Sequence, residues 1–392
     1  TNGDGDFTTT RNTVATRVNE NGLIEEVASN VPRLDYSDGG CPSLLLEPTA
    51  TNLVTYSEDF SQWSISRGTL GSNITAPNGN ADGRSLIANT VNDDHYVTTN
   101  ASVINTTTYT YSAYLKKGNK NWARLWNTSV GYADFDLENG VVGTQSSAVG
   151  SIELFGNGWY RCSIVYTAIS TGSDSHRIYT LEGDNDKAFS GDSVTINLYV
   201  FGAQLEQNSY ATSYIKNEGT ALGVTRVADT ASGSGNSTVI NSTEGTLYAE
   251  ISALVNTDPL NRTISLSDGT VTNRLELLLS STGTIQGRFD SASSDITLTK
   301  TGLDTSNNNK IALAWSSGKC VLWVNGVKEQ EDLTFNTFLS NTLIDLSFYS
   351  VFSGGSSSFY GKTKSVQVYT TALSDIEIEK LTSYTSFTAM AN

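Results

Sequence analysis

Short segments in which hydrophobic and polar residues alternate recur along almost the whole chain. Residues 109–115 are typical, because they alternate with a period of two and are rich in tyrosine. Such alternation indicates a strand with one buried face. Comparable segments occupy residues 163–167, 194–200, 247–251, 274–279 and 364–369. The pattern therefore predicts an all-β protein.

Local turn and helix signals fit the same prediction. Asn-Gly pairs at 139–140 and 325–326 separate strand-like segments. They predict tight hairpins, since both turn residues must tolerate a positive φ. Ser374 and Glu377 have the spacing of a capping box at the start of residues 374–381, the one segment typical of a helix.

Changes in composition divide the chain into three parts. Residues 1–50 are expected to form an N-terminal extended arm, residues 51–222 a jelly roll, and residues 223–392 a second sandwich. A Gly/Ser-rich segment at 230–238 is expected to be a linker or long loop. We therefore predict two β-sandwich (jelly-roll) domains, the arm, and one short C-terminal helix.

Charge and rare residues exclude several classes of protein. With 24 Lys and Arg against 40 Asp and Glu, the net charge is −16, which argues against nucleic acid or an anionic membrane as a partner. No apolar run is long enough for a transmembrane helix, so no membrane insertion is expected. Three cysteines cannot form a disulfide framework, and we expect them to be mostly buried thiols.

The first part of the chain is similar to a known type of segment. Residues 7–27, 30–36, 41–48 and 51–60 resemble, in this order, a segment recurrent in bacteriophage virion and tail proteins. The resemblance implies that a jelly-roll module follows. The alternative for residues 7–56 is an arm of strands that packs on the next domain without binding anything.

Most of residues 51–216 resembles the jelly-roll modules grouped with xylan- and cellulose-binding domains, in their phage-associated form. The matching segments are 111–118, 135–140, 156–162, 202–206 and 211–215. The resemblance implies that a sheet face, or loops at its rim, holds a glycan on aromatic side chains.

Three residues of this block are candidates for glycan binding. Trp122, Arg124 and Trp126 would share one side of a strand, so two aromatic rings would flank a guanidinium. The alternative is that both tryptophans point into the core, where Arg124 would need a buried partner. Trp159 and Tyr160 lie in the structural motif of the resemblance and are expected to be packing residues.

The last part resembles a concanavalin A-like or laminin-G-like sandwich. The matching segments are 245–251, 310–315, 319–327, 361–369 and 373–377. The resemblance implies rim loops that bind calcium or glycans. Its catalytic relatives have a closely spaced acidic motif on one strand, whereas Glu250, Glu276 and Asp345 stand singly, so no enzyme is expected.

Two further groups of residues could carry chemistry. Glu182, Asp184 and Asp186 offer hard oxygen ligands that suit calcium, and the alternative is a solvated acidic loop. His95 and His176 follow acidic, loop-like residues, and both are expected to lie in solvated loops rather than in a Ser–His–Asp site.

These observations predict a non-enzymatic phage virion structural protein, a tail or capsid appendage or fibre that binds glycans. Its expected role is host-surface attachment or decoration. The expected partners are a host-surface polysaccharide, other virion proteins and two more copies in a homotrimer, and the expected location is the extracellular virion. One alternative is a secreted bacterial glycan-binding protein or an accessory module of a polysaccharide-degrading enzyme. Another is a glycan-cleaving enzyme with an unrecognised site.

Overall fold

The chain folds into two β-sandwiches and an N-terminal arm of short strands. The computed structural model describes residues 7–256, 262–280, 283–351 and 357–383. Within them, strands form nearly all the regular structure, and the only α-helix lies near the C-terminus. The predicted all-β class, with sandwiches and one short C-terminal helix, is confirmed. No described helix is long and apolar enough to cross a membrane.

The described part of the arm, from residue 7 onward, contains six short strands. They are β1 (Thr8–Thr10), β2 (Ala15–Val18), β3 (Ile24–Val27), β4 (Arg33–Asp35), β5 (Ser43–Leu46) and β6 (Ala50–Asn52). Strands β2 and β3 form a hairpin, and β4 pairs with β5. The remaining pairings of the arm are with strands far along the chain.

The jelly roll begins after a 3₁₀ turn at Phe60–Gln62. Its strands are β7 (Ser64–Ser66), β8 (Gly68–Ile74), β9 (Gly83–Ala88), β10 (Asp93–Val103), β11 (Thr108–Lys117), β12 (Trp122–Asn127), β13 (Gly131–Asp136), β14 (Val141–Ser146), β15 (Val149–Gly156), β16 (Trp159–Thr167), β17 (Gly172–Leu181), β18 (Ala188–Phe189) and β19 (Ile196–Glu206). One sheet has the order β14-β13-β12-β17-β10-β18, with β7 also paired to β10. The facing sheet has the order β15-β16-β11-β19-β9-β8.

Alternation along these strands fills the space between the two sheets. The buried cluster includes Tyr111, Ala123, Leu125, Phe135 and Ile178, which come from the four strands β11, β12, β13 and β17. Because successive side chains on a strand point to opposite faces, their neighbours in sequence must point out of the sandwich. This places the even-numbered residues of β12 on the outer face of the seven-stranded sheet.

The second sandwich uses the remaining elements. They are β20 (Val224–Arg226), β21 (Thr230–Ser232), β22 (Gly245–Ala253), β23 (Arg262–Ser267), β24 (Arg274–Ser280), β25 (Thr284–Ser291), β26 (Ser294–Lys300), β27 (Asn309–Ser316), β28 (Lys319–Val324), β29 (Val327–Asp332), β30 (Asp345–Ser347), β31 (Gly361–Tyr369) and helix α1 (Asp375–Ser383). The two sheets have the orders β29-β28-β27-β22-β31-β5-β4 and β26-β25-β24-β23-β30. Helix α1 covers one outer face, where Ile378 packs on Ala312 and Trp323.

The arm completes the second sandwich, although the jelly roll separates the two along the chain. Strand β5 pairs with β31, and Leu46 belongs to the core of the second sandwich. Strand β6 pairs with β20, and β1 pairs with β21. The chain therefore enters and leaves the jelly roll through two adjacent antiparallel strands, so the jelly roll is an insertion into the second sandwich.

A buried ion network closes the base of this insertion. We call Arg11, Arg33, Glu47, Arg226 and Asp229 the junction network. Arg33 contacts the carboxylates of both Glu47, at 2.6 Å, and Asp229. Arg226 binds Glu47 at 2.7 Å, and Arg11 binds Asp229 at 2.8 Å. All five side chains are at most 6% exposed.

The predicted turns and linker have mixed outcomes. Asn325 and Gly326 have φ values of 50° and 82°, as the Asn-Gly hairpin prediction requires. At residues 139–140 only Gly140 has a positive φ, and its N–H donates to Asp136 O at 2.8 Å. The Gly/Ser-rich segment 230–238 was expected to be a loop, but it contains β21, where Ala231 is fully buried.

Candidate functional site

Strand β12 presents Trp122, Arg124 and Trp126 on the outer face of the seven-stranded sheet. The intervening residues Ala123 and Leu125 are fully buried between the sheets. The two tryptophans are half-buried, whereas Arg124 is only 2% exposed. The alternative that the tryptophans point into the sandwich core therefore does not hold.

Arg124 has the buried partner that its position demands. Its Nε and Nη2 donate to the two carboxylate oxygens of Asp134, at 2.6 and 2.9 Å. Asp134 lies directly opposite on β13. A bidentate pair of this kind compensates both charges and fixes the guanidinium plane.

Four aromatic rings from four neighbouring strands form what we call the aromatic face, defined by Tyr96, Trp126, Tyr132 and Tyr179. The Trp126 ring lies 5.7 Å from Tyr132 and 5.5 Å from Tyr179, centroid to centroid. Tyr179 lies 4.6 Å from Tyr96. The rings follow a line across β13, β12, β17 and β10, and sequence analysis identified only Trp126 among them.

The missed residues carry a weak local signal. Each of the three tyrosines occupies the outward-facing register of its strand. Tyr132 lies opposite Trp126, Tyr179 opposite Arg124, and Tyr96 opposite Tyr179. The alternation of polar and apolar residues along each strand can predict that the tyrosine faces outward from its sheet. Only the pairing of strands far apart in sequence brings them side by side.

Cations alternate with the rings on this face. The Arg124 guanidinium carbon lies 3.6 Å from the Tyr132 centroid, and that of Arg177 lies 4.5 Å from the Tyr96 centroid. Lys187 Nζ lies 5.3 Å from the Trp126 centroid. Arrangements of this kind stabilise the rings through cation–π attraction and hold them at fixed positions.

The acidic loop that follows β17 borders the aromatic face. Asn185, with φ at 56°, donates its N–H to Asp134 at 2.8 Å. Its side-chain oxygen accepts hydrogen bonds from Arg124 at 3.1 Å and from Tyr132 Oη at 3.2 Å. The loop thus places an amide among the rings.

The three acids predicted to bind calcium do not converge in this loop. Glu182 pairs with Lys120, and Asp184 accepts from the N–H and the hydroxyl of Thr144 at 2.7 and 3.0 Å. Asp186 contributes its backbone oxygen to the Glu182 N–H. Across residues 7–383, apart from the stretches the structure leaves undescribed, no group of three metal-ligating side chains occurs. The calcium site stays a prediction that these contacts do not support.

Trp122 lies at the edge of the face, over a glycine. A Cβ atom at Gly143 would come within 2.4 Å of the Trp122 ring and 2.5 Å of the Asp184 carboxylate. The missing side chain therefore allows the ring and the acidic loop to lie close to β14. Trp159, by contrast, is 1% exposed and donates to Thr75 O at 3.2 Å, as expected for a packing residue.

The prediction that both histidines lie in solvated loops is wrong, because both lie in strands and are buried. His95 on β10 places its two ring nitrogens 2.6 Å from Arg67 O and 2.8 Å from Phe189 O. His176 on β17 points into the jelly-roll core, where Tyr166 Oη lies 2.5 Å from its Nε2. Burial lowers the pKa of His176 to about 4, although nearby Asp174 opposes the shift.

The single acids of the second sandwich are engaged in separate contacts. Glu276 is fully buried, Glu250 accepts from Tyr248 Oη at 3.4 Å, and Asp345 accepts from Ser347 Oγ at 2.6 Å. Glu276 and Asp345 share the outer side of one sheet, as the register of β24, β23 and β30 shows.

One carboxylate pair of the second sandwich was not predicted from the sequence. Asp290 and Asp295 lie opposite each other in the hairpin of β25 and β26. Burial and a hydrogen bond with Asp295 raise the pKa of Asp290 to about 7, and the charge of Arg274 opposes this shift. Arg274 contacts both Asp290 and Glu276, so the pair belongs to an ion network on the sheet.

A cavity lies away from the aromatic face, where the arm meets the jelly roll. It has a volume of about 540 Å³, and its lining includes Tyr114, Phe155, Arg161, Tyr214 and Glu47. On the aromatic face, Tyr96, Trp126 and Tyr132 are half-buried and reach solvent, whereas Tyr179 is fully buried. The three accessible rings form a surface rather than a cavity, which suits an elongated ligand better than a compact one.

Comparisons with known proteins show only distant likeness. No protein-family model matches the chain, and no curated protein matches it. Among solved structures, the CBM40 of the Ruminococcus gnavus IT-sialidase is 18% identical, with 36% of this chain and 84% of that chain covered and a TM-score of 0.33. The same module bound to α2,3-sialyllactose gives 19% identity, 36% and 83% coverage, and 0.32.

A SAP-like pentraxin from Limulus polyphemus shows a similar degree of likeness. It is 13% identical, covers 38% of this chain and 74% of its own length, and has a TM-score of 0.32. The likeness of the chain to the CBM40 module and to the pentraxin is distant in both cases.

Proposed function

We propose that the protein is a glycan-binding protein and that the aromatic face is its binding surface. The observation that carries the proposal is the row of rings on the outer side of the sheet, in which Tyr132, Trp126 and Tyr96 are half-buried and the fully buried Tyr179 lies between Trp126 and Tyr96. Nothing about this row is needed to fill the sandwich core, which lies on the other side of the sheet.

The chemistry of the face fits a sugar chain. The C–H faces of sugar rings stack on aromatic side chains, while hydroxyl groups need hydrogen-bond partners beside them. Asn185, Tyr132 Oη and Lys187 lie at the rings and offer such partners. With strands spaced at about 4.8 Å, the row from Tyr132 on β13 to Tyr96 on β10 is about 14 Å long. An elongated glycan can therefore contact the half-buried rings of Tyr132, Trp126 and Tyr96, while the fully buried Tyr179 supports them from within the row.

The proposal is tested by removing one ring. We expect Trp126→Ala to weaken binding to the responsive member of a polysaccharide panel by about tenfold, because one stacked ring contributes roughly 1–2 kcal/mol. The melting temperature should change little, since the ring is only half-buried. Affinity electrophoresis and thermal unfolding would measure both.

Trp159→Ala is the matched control. Its ring is buried, so the variant should lose about 3–5 kcal/mol of unfolding free energy while the folded fraction still binds. Equal binding by Trp126→Ala and the parent protein would contradict the proposal.

We also propose that binding occurs without cleavage. In support, the acids of the second sandwich described above are occupied by ion pairs and hydrogen bonds. Polysaccharides incubated with the protein should keep their size in gel filtration. Shortening that disappears in Asp290→Asn would identify the protein as an enzyme instead.

The carrier of this binding protein is a separate proposal. The resemblance of residues 7–56 to bacteriophage virion segments supports a homotrimeric appendage on a virion. A secreted bacterial glycan-binding protein, or an accessory module of a polysaccharide-degrading enzyme, is the alternative. Electron microscopy of purified particles with a label on this chain distinguishes the two, because only the first places the label on the particle.

A further inference from the structure

Arg177 lies within the aromatic face, between Trp126 on β12 and Thr98 on β10. Its guanidinium stacks on Tyr96, with 4.5 Å from its carbon to the ring centroid, and Nη1 donates to Tyr179 Oη at 2.9 Å. The side chain is half-buried, and its Nε is buried without a hydrogen-bond partner. The tyrosines thus hold the guanidinium in place but leave part of its donor set unused.

The other cations at this face are neutralised by acids. Arg124 pairs with Asp134, and Lys187 Nζ lies 2.8 Å from Asp94. Among the residues that the structure describes, no carboxylate lies within 4.0 Å of the Arg177 guanidinium. Of the three cations described at this face, Arg177 is the one without an acidic partner.

We infer that Arg177 receives an anionic group of the glycan, a carboxylate or a sulfate ester. This inference rests on the proposed function and names the class of ligand as an acidic polysaccharide. A guanidinium donates two parallel hydrogen bonds to either group, and the desolvated cation gains a counter-charge that the protein does not supply. Trp126 then lies next to the site, where it can stack on the sugar that bears the anion.

The test compares polymers that differ in their anionic groups. Dextran and dextran sulfate share one backbone, and polygalacturonate supplies carboxylates in place of sulfates. Binding is measured by affinity electrophoresis and calorimetry at 0.15 M salt, where screening over about 8 Å limits the repulsion from the net charge of −16. We expect at least one acidic polymer to bind at least tenfold more tightly than dextran. The polymer that responds identifies sulfate or carboxylate as the group.

Substitutions then assign the preference to Arg177. Arg177→Gln should lower affinity for the acidic polymer by about tenfold to a hundredfold, because a charge-assisted bond contributes about 1.5–3 kcal/mol, and leave binding to dextran within twofold. Arg177→Lys, which keeps the charge but loses the paired donors, should retain an intermediate affinity. Arg84→Gln is the matched control, a half-buried arginine on the facing sheet that contacts Asn73. Its affinities should not change.

The possible failures are distinguishable. If Arg177→Gln binds the acidic polymer as the parent does while Trp126→Ala loses binding, the anionic site is wrong and the glycan face stands. Polyphosphate that binds as tightly as the acidic polysaccharide would reduce Arg177 to a general anion site and overturn the inference. If no polysaccharide binds, or if binding survives Trp126→Ala, the proposed function fails as well.

Discussion

Arg33 is the residue on which the junction network depends most. It contacts both acids of the network, so its removal leaves Glu47 and Asp229 buried with one arginine each. We expect Arg33→Met to lower the unfolding free energy by about 3–5 kcal/mol, as for other buried ion pairs that lose one partner.

Denaturant unfolding measures this loss, and Arg17→Met is its control. Arg17 pairs with Glu25 at 2.5 Å, but both side chains are partly exposed, at 26% and 36%. Such a pair contributes at most about 1 kcal/mol. Equal losses in the two variants would show that burial of the network does not determine its contribution.

Acidification should destabilise the protein in two successive pH ranges. Because the pKa of His176 falls from 6.5 to about 4 on folding, the unfolded chain takes up this proton first. The unfolding free energy should therefore fall by up to about 3 kcal/mol between pH 6.5 and pH 4. Burial alone would raise the pKa of Glu47, but Arg226 and Arg33 lower it to about 2, so its contribution is lost as the pH falls from about 4.5 towards 2.

Unfolding experiments at steps from pH 7 to pH 4 follow the first range. His176→Gln removes the titrating group and keeps a polar side chain beside Tyr166. Its profile should be flatter there than that of the parent protein. An unchanged slope would mean that another group takes up the proton.

At the scale of residues, the sequence predicted that Arg124 belongs to the candidate site, but it did not predict the tyrosines that surround it. A strand that alternates Trp, Ala, Arg, Leu and Trp has an apolar side, so an arginine beside it must face out or find a buried acid. Both are true here, since Asp134 pairs with it on the outer face. Tyr96 and Tyr179 were missed because β10 and β17 are not adjacent in sequence, and only their pairing brings the rings together.

At the scale of elements, β5 shows how an arm residue stabilises a remote core. Leu46 is 2% exposed and belongs to the core of the second sandwich, although about 200 residues separate it from β22. We expect Leu46→Ala to lower the unfolding free energy by about 2–5 kcal/mol. Thermal or denaturant unfolding would measure this.

Leu34 on the neighbouring strand β4 provides the comparison. Its side chain is 44% exposed, so Leu34→Ala should change the unfolding free energy by no more than about 0.5 kcal/mol. A small effect of both substitutions would indicate that β5 does not contribute to the core.

Elements with local signals were predictable, and elements defined by distant partners were not. The capping box at Ser374 and Glu377 is formed, with the Ser374 N–H donating to Glu377 at 2.8 Å, and α1 follows it. Such signals act within a few residues. Strand β21 begins the Gly/Ser-rich segment 230–238, whose composition is typical of a loop, and it forms a strand by pairing with β1.

At the scale of the whole molecule, the insertion of the jelly roll predicts that it can be removed. Asn52 on β6 pairs with Val224 on β20, so residues 53–223 could be replaced by an Asn-Gly turn to give a hairpin. All five members of the junction network remain. We expect the shortened chain to fold cooperatively, as measured by circular dichroism and thermal unfolding.

The stability of the shortened chain should depend on two contacts of the arm. Removal of the insertion also removes Ser213, which donates a hydrogen bond to Glu47 at 2.6 Å. The junction network should therefore stabilise the shortened chain less than it stabilises the parent protein. The same shortened chain carrying Leu46→Ala should melt at a lower temperature. Absence of any cooperative transition in the shortened chain itself would show that the second sandwich needs the jelly roll.

The pairing of β5 with β31 also means that β5 must wait for its partner strand during translation. Leu46 lies opposite Gly361, so β5 leaves the ribosome about 315 residues before its partner strand exists. At 5–20 residues per second this interval is about 15–60 s. The jelly roll can fold during that time, while the unpaired strands of the arm stay open to other chains. Nascent chains on neighbouring ribosomes of one messenger RNA can therefore pair with each other through β4 and β5. A chaperone that binds extended segments would act first on these two strands.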